Sequence, residues 1–217
     1  MLRDRQDAGR LLAARLSAMT LDRPVVLALP RGGVPVAAEI ATILGAPLDL
    51  VLVRKIGAPA QPELALGAVV EGAEADIVLD DVLLRYLHVG SAQADQLVAR
   101  ARAELERRGQ RYRACRSPVE LAGRDVIIVD DGIATGASIR VAIQAVRRRR
   151  PGRIILAVPV AAADQVTALQ AEVDVVVCQE APADLSAVSR HYLSFPQVDD
   201  AEVIACLEAA GRRNQDP

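Results

Sequence analysis

Aromatic residues are nearly missing from this chain. Its 217 residues include no Trp, three Tyr and one Phe: Tyr86, Tyr112, Tyr192 and Phe195. The core must therefore be aliphatic, and an aromatic stacking site has few candidates. An excess of either charge is missing too. A formal net charge of -2 gives no support for a nucleic-acid or membrane partner. The cysteines, Cys115, Cys178 and Cys206, are odd in number and widely spaced. With no CxxC pair, neither a disulfide frame nor a zinc site is suggested. His88 and His191 lack a neighbouring ligand set, so no metal is assigned to them. No apolar run is long enough to span a bilayer. The opening "MLRDRQDAGRLLAARL" mixes acids with its basic residues and has no apolar h-region, so it does not read as a signal peptide. The expected location is a reduced cytoplasm.

What the chain has in quantity is Val, Ile, Leu and Ala, set out in alternating elements. Leu11, Leu12, Leu16 and Met19 fall at helical spacing within residues 5–19. "PVVLALP" (24–30) reads as a short buried strand, and "RGGVPVAAEIATILG" as a turn into a helix that Gly45 ends. A second strand is expected over 47–55, a Pro/Gly-punctuated mobile loop over 56–67, and a hairpin around Gly72. Ser91 is the expected cap of a long helix to about Arg113, with Val98, Leu105 and Tyr112 on one face. Then come a strand over 124–131, a helix, a strand over 152–161, a helix near 164–171 and a strand over 173–179. A short helix near 199–210 closes the pattern. Continuous apolar strands alternating with helices predict an α/β fold, an open parallel sheet covered on both faces. One domain, 1–217, is expected, with a helical insert at about 82–113 and a C-terminal hood at about 180–217.

The most informative stretch is "VIIVDDGIATGAS" (126–138). Four apolar residues run into two aspartates, and these run into a loop of small and hydroxylated residues. Ligands of open parallel sheets sit outside the carboxyl ends of the strands, where Asp130 and Asp131 are expected. Carboxylates only accept hydrogen bonds, so a pair suits a vicinal diol such as that of ribose. The loop after them offers backbone N–H groups at a helix N-terminus, with hydroxyls from Thr135 and Ser138, while Gly132 and Gly136 permit unusual dihedrals. That is a cradle for a phosphate monoester. A second loop, "LPRGGVP" (29–35), presents one fixed charge, Arg31, and two bare backbone N–H groups, Gly32 and Gly33, to an anion. A third candidate is "VRKIGAP" (53–59), where Arg54 and Lys55 are expected to end a strand at the same edge.

These residues resemble the signature of type I phosphoribosyltransferases, which bind 5-phosphoribosyl-1-diphosphate (PRPP). "VIIVDDGIATGAS" matches that signature in character along its whole length, with Gly132 and Ala134 where bulkier or hydroxylated residues are frequent. The longer run "PRGGVPVAAEIA…VRKIGAP…PELALGAVVEG…VDDGIATGAS…FPQVDDAEV" resembles one branch of phosphoribosyltransferase-like proteins, in which aromatic residues are more usual near 185 and 191. Here Leu185 and His191 stand there. The resemblance implies that Asp130 and Asp131 hold the ribose diol, and that Ala134, Thr135, Gly136, Ala137 and Ser138 hold the 5-phosphate. It further implies that Arg31, Gly32 and Gly33 receive the diphosphate, across a Pro30–Arg31 peptide that is cis or strained. Lys55 and Arg54 would stabilise the departing diphosphate, with the 56–67 loop closing over the reacting centre.

The implied reaction transfers the 5-phosphoribosyl group from PRPP to a nitrogenous base or related nucleophile. Mg2+ would bridge the diphosphate and ribose hydroxyls, reached by Asp130 and Asp131 through water rather than held directly. The alternative is a non-catalytic regulator on the same fold that senses PRPP or nucleotides. A DNA-binding version would carry a helix-turn-helix or basic arm, and none precedes residue 24. Two other features have plainer readings. "RRRR" (147–150) ends a helix, where cations complement the dipole. Asp80-Asp81 lacks a following glycine-rich loop and reads as a strand end or helix start. For the Arg- and Glu-rich helix 92–113, a solvated face is expected, with a cap or homodimer contact as its other role.

Overall fold

The structure is a computed structural model that describes residues 1–59, 61–71, 76–113 and 118–213. In chain order the elements are α1 (Arg5–Ser17), β1 (Val25–Ala28), α2 (Gly33–Leu44), β2 (Leu48–Leu50), β3 (Val53–Ala58), β4 (Gln61–Val70), β5 (Asp76–Leu79), α3 (Asp81–Tyr86) and α4 (Ser91–Arg113). They continue with β6 (Asp125–Val129), α5 (Ala137–Arg148), β7 (Arg153–Val160), α6 (Ala163–Gln170), β8 (Val175–Glu180), a 3-10 turn at Val188–His191, and α7 (Asp200–Arg213). They form two compact units, Met1–Leu50 with Ser117–Pro217, and Val51–Arg116.

The first unit is built on a five-stranded parallel sheet in the order β2-β1-β6-β7-β8. Every residue of β1 and β6, and all but the first of β7, is buried. This is what continuous Val/Ile/Leu strands need when helices cover both faces. The chain steps from β1 outward to β2, but from β6 outward the other way to β7 and β8. Right-handed crossovers in opposite directions place α2 on one face and α5 and α6 on the other. The carboxyl ends of β1 and β6 are therefore the switch point at which ligands bind. Local chemistry agrees with these boundaries. Asp4 caps α1 by accepting from the Asp7 N–H, and Gly45 ends α2 in the left-handed region with φ 61°. Arg147 and Arg148 fill the last turn of α5, where carbonyls point outward. Gly9 lets α1 and α2 meet, because a Cβ there would lie 2.5 Å from the Val36 carbonyl oxygen.

The second unit has a three-stranded antiparallel sheet, β3-β4-β5, with α4 packed on β3 and β4. Leu105 and Tyr112, two of the three residues expected on one face of the long helix, are buried, and Val98 is half-buried. The helix spans Ser91–Arg113, but Ser91 is its first residue rather than its cap. The carbonyl that accepts the first helical bond, from Ala94, belongs to Gly90. The helices expected at 82–113 thus share a unit with three strands.

The structure also corrects two expectations about residues 47–67. The single strand predicted over 47–55 is two strands, with β2 parallel in the first unit and β3 antiparallel in the second. The segment 56–67, expected as a mobile loop, supplies the end of β3 and the first part of β4. Its helix and strand breakers are accommodated by position. Gly57 sits where the β3–β4 register shifts, Pro59 follows β3, and Pro62 lies where β4 pairs with β3 alone, because β5 pairs only with Gly67–Val70. Proline needs no second ladder partner on such an edge, and glycine suits a bulge. The hairpin expected around Gly72 is formed by β4 and β5, and Gly72 itself lies outside the described residues.

Candidate functional site

The two loops that follow β1 and β6 are packed into each other. Pairing continues past the strand ends, with the Leu29 N–H donating to the Val129 carbonyl at 2.9 Å. The chain then turns at the Pro30–Arg31 peptide, which is cis. Gly32 and Gly33 lie directly against the acid pair. A Cβ on Gly32 would stand 2.0 Å from Asp131 Oδ2, and one on Gly33 would stand 2.7 Å from the Val129 carbonyl oxygen. Neither has a positive φ, so the glycines are required by close approach. Only one of their N–H groups is open. The Gly33 N–H donates to the Leu29 carbonyl at 3.1 Å, while that of Gly32 has no partner among the described residues.

The acid pair is held asymmetrically. Asp130 Oδ1 accepts from the Asp131 N–H at 2.9 Å. Asp131 Oδ2 accepts from Arg5 Nε at 2.8 Å and lies 2.7 Å from Arg5 Nη2. Asp130 Oδ2 and Asp131 Oδ1 accept nothing among the described residues, and neither is enclosed. Each carboxylate therefore keeps one oxygen open. Burial, and then the neighbouring Asp131 charge, hold Asp130 well above the usual carboxylate range. Burial raises Asp131 as well, against the opposing pull of Arg5. Two carboxyls this close do not ionise independently.

Three residues to which the sequence alone gives no role in the site complete this end of the sheet. Arg5 is only 8% exposed. Its Nη1 donates to the Pro196 carbonyl at 2.7 Å, and its guanidinium lies 3.7 Å from the centre of the Phe195 ring. The Tyr192 hydroxyl donates to the Asp131 carbonyl at 2.7 Å, and its ring centre is 4.8 Å from that of Phe195. Burial, more than the nearby carboxylates, pushes the Tyr192 hydroxyl far up, so it stays a donor. A cavity of about 350 Å³ opens among Arg5, Arg31, Gly32, Asp131 and Phe195–Val198. It holds two cations, one carboxylate and one aromatic face. Arg31 is half-exposed on its wall, 3.9 Å from Asp200 Oδ1.

The loop 132–138 follows. Gly136 has φ 72° and turns the chain into α5, which begins at Ala137 without a side-chain cap. First-turn N–H groups of a helix lack helical partners, so those of Ala137 and Ser138 are available to an anion. Thr135 is exposed and Ser138 half-buried. Arg140 braces the loop from behind: Nη1 donates to the Thr135 carbonyl at 3.1 Å, and Nε to Glu172 at 2.8 Å. Gly132 does not have the unusual dihedral expected of it. It is small because a Cβ would stand 2.4 Å from Val188 Cγ1.

The structure thus brings Arg31, Gly32, Gly33, Asp130 and Asp131 together and runs Ala134–Ser138 on from them. Arg54 and Lys55 lie in the second unit, inside β3 rather than at its end, opposite Val69 and Ala68. Consecutive strand residues point to opposite faces, so the two cations do not share one. Arg54 Nη2 is 2.6 Å from Glu104 Oε2; the Lys55 side chain is exposed. Asp80 is a helix cap, accepting from the Val82 and Leu83 N–H groups. Among the described residues no cluster of three or more His, Cys, Asp or Glu is placed to hold a metal, and no helix is long and apolar enough to cross a membrane.

A phosphoribosyl transferase domain matches residues 3–193. The chain belongs to the phosphoribosyl transferase domain family. It is 46% identical over 209 residues to "Putative phosphoribosyl transferase Rv0571c" of Mycobacterium tuberculosis, covering 96% of this chain and 47% of that protein. The chain therefore spans about half the length of the curated relatives it matches. Among solved structures, TT1426 from Thermus thermophilus is 48% identical with a TM-score of 0.82, covering 95% of this chain and 97% of that one. AQ2163 from Aquifex aeolicus, at 12% identity and a TM-score of 0.50, shares the fold. It covers 94% of this chain and 85% of that one. The five-stranded parallel sheet flanked by helices is the fold expected of a type I phosphoribosyltransferase.

Proposed function

We propose that this family member is a cytoplasmic phosphoribosyltransferase that binds Mg-PRPP and transfers its 5-phosphoribosyl group to a nitrogenous base or related nucleophile, releasing diphosphate. One observation carries the reading: Arg31, Gly32 and Asp131 meet in a single cavity at the sheet's switch point, beside the small-residue loop that opens α5. The open oxygens of Asp130 and Asp131 suit the ribose diol, and residues 134–138 suit the 5-phosphate. Arg31 and the Gly32 N–H suit the diphosphate. Mg2+ fits this donor set through water and substrate oxygens, since each acid has one open oxygen; when bound, it would neutralise charge on the leaving diphosphate.

In the displacement, the C1–O bond to diphosphate breaks as a ring nitrogen bonds to C1. Positive charge develops on the ribose ring, which the acid pair stabilises, and negative charge on the departing group, which Arg31 stabilises. Lys55 is assigned to the same departing charge.

A second reading, a non-catalytic PRPP or nucleotide sensor, is favoured by Arg54, which already pairs with Glu104. Calorimetric titration with Mg-PRPP, beside a screen of bases for diphosphate release, separates the two. Lys55→Ala should leave Mg-PRPP affinity within a few-fold and lower turnover by ~100-fold, as expected for a contact made in the transition state. Tight binding without turnover for any base supports the sensor. Absence of PRPP binding by the wild-type protein overturns the transferase, and absence of nucleotide binding as well overturns the sensor.

A further inference from the structure

Resting on the PRPP reading, we infer that Arg5 is a positioning residue for the acid pair: it grips Asp131 by one oxygen and leaves the other open for the ribose. Four features set Arg5 apart from an ordinary buried ion pair. It is the first residue of α1, placed by the Asp4 cap, and it reaches a carboxylate 126 residues away. All three guanidinium nitrogens are engaged, two by Asp131 and one by the Pro196 carbonyl. Nε and Nη2 converge on Oδ2 rather than forking across both carboxylate oxygens, the usual arrangement of a strong Arg–carboxylate pair. The guanidinium carbon lies 3.7 Å over the centre of the Phe195 ring, so the same side chain holds Asp131 and packs on the aromatic wall of the cavity.

Charge supports the geometry. Asp130 and Asp131 lie side by side where burial disfavours ionisation. From α1, Arg5 is the cation in direct contact. From the first loop, Arg31 shares the cavity, and from the C-terminal segment Tyr192 supplies a neutral hydroxyl to the Asp131 carbonyl. Glu180, on β8, acts on the Tyr192 hydroxyl, and the His191 hydrogen bond holds its own carboxyl below the usual range. Without Arg5 the pair has no contacting cation among the described residues, and nothing else among them holds Asp131 by a single oxygen.

The test compares wild type with Arg5→Gln and Arg5→Lys in the full chain, by carboxyl-carbon NMR titration of the acid pair, Mg-PRPP calorimetry and melting. Arg5→Gln should raise the titration of the pair by about one pH unit or more. It should weaken Mg-PRPP binding ~10-fold, with part of the loss recovered as pH is raised through the titration measured for the variant's acid pair. Arg5→Lys, which keeps the charge but loses the paired N–H donors and the bond to Pro196, should titrate like wild type and still bind ~3- to 10-fold more weakly. A merely structural arginine would lower the melting temperature and leave the pair's titration in place; that result overturns the inference. Should Arg5→Gln fail to fold, wild-type affinity in Arg5→Lys overturns it as well. If the wild type binds no PRPP while Arg5→Gln still shifts the titration, the PRPP reading falls and the hold of Arg5 on the acid pair stands.

Discussion

Asp80–Asp81 and Asp130–Asp131 are the same dipeptide in two regions of the molecule, each just after a β-strand. Asp80 is exposed and turns inward on its own chain, capping α3 through the Val82 and Leu83 N–H groups. Asp130 and Asp131 are half-buried, one held by the next residue's N–H and the other by Arg5, each with an oxygen left open. The difference lies in the residues after the dipeptide and in those across from it. After Asp81 comes a helix at once, so the first carboxylate finds N–H groups two and three residues on. After Asp131 comes a glycine loop, which delays the helix to Ala137 and leaves the carboxylates facing Gly32 and Gly33 of another loop. The same side chains serve as a local brace in one place and as an open acceptor pair in the other.

The largest effect expected from breaking this contrast is on ligand affinity. Asp130→Asn with Asp131→Asn should weaken Mg-PRPP binding ~30-fold or more, since charge-assisted hydrogen bonds contribute about 2 kcal/mol. The matched change at Asp80 and Asp81 should leave affinity within about two-fold, because one variant alters the site and the other a cap. Calorimetry on both variants measures the difference, and equal losses would remove the diol role from the second pair.

Next in size is the contact that makes the second pair special. Gly32→Ala introduces a Cβ 2.0 Å from Asp131 Oδ2, so either the first loop or Asp131 must move. Overpacking of this kind costs about 1–3 kcal/mol. Denaturant unfolding should show that loss, and PRPP affinity should fall with it as Asp131 is pushed from Arg5. Retained stability and affinity would mean the two loops are not interlocked.

A smaller effect concerns pH. Asp130 is raised, chiefly by burial, so the folded protein binds a proton more tightly there than the unfolded chain. Its ionisation penalty is absent below about pH 4 and grows as pH rises toward the folded value. Asp130→Asn removes the penalty and should raise the melting temperature at neutral pH by ~3 °C while it damages binding. Asp125 has the opposite sign. Arg153 holds it low, so its contribution is present above about pH 4 and is lost as pH falls through its folded value. Melting curves of Asp130→Asn and Asp125→Asn should therefore converge on wild type in acid and depart from it in opposite directions toward neutral pH, the first upward and the second downward.

Which of these features were legible in sequence depends on the range of their causes. The parallel strands, Gly45, the span of α4 and the plain role of Asp80–Asp81 are set within a few residues, and local periodicity and chemistry reach that far. The break between β2 and β3 was hidden because "LDLVLVRK" is almost continuously apolar up to its cations, and nothing local marks where one sheet is left for another. Residues 56–67 read as a loop because the tolerance for Pro62 comes from its missing second neighbour, a fact of the sheet. The roles of Arg5 and Phe195 are hidden in the sequence for a similar reason. Arg5 meets its partners 126 and 191 positions along the chain, and only the fold brings them together. Gly132 was noticed for the wrong reason. Its smallness answers Val188, not a dihedral.

The smallest prediction returns to the first dipeptide. Asp80 accepts from two N–H groups at 3.0 and 2.9 Å, and two of the donors that every helix start leaves unpaired are satisfied by one oxygen, Oδ1. Replacing such a cap with alanine costs about 1 kcal/mol, whereas asparagine caps about as well as aspartate. Asp80→Ala should therefore lower stability by that amount in chemical denaturation, with Mg-PRPP affinity unchanged, and Asp80→Asn should restore it almost fully. The six-residue α3 has no buried residue to hold it by packing, so the loss should appear first as faster amide exchange in residues 82–84. If Asp80→Ala instead weakens PRPP binding as Asp131→Asn does, the two dipeptides do not differ in role, and Asp80 belongs with the acids that serve the ligand.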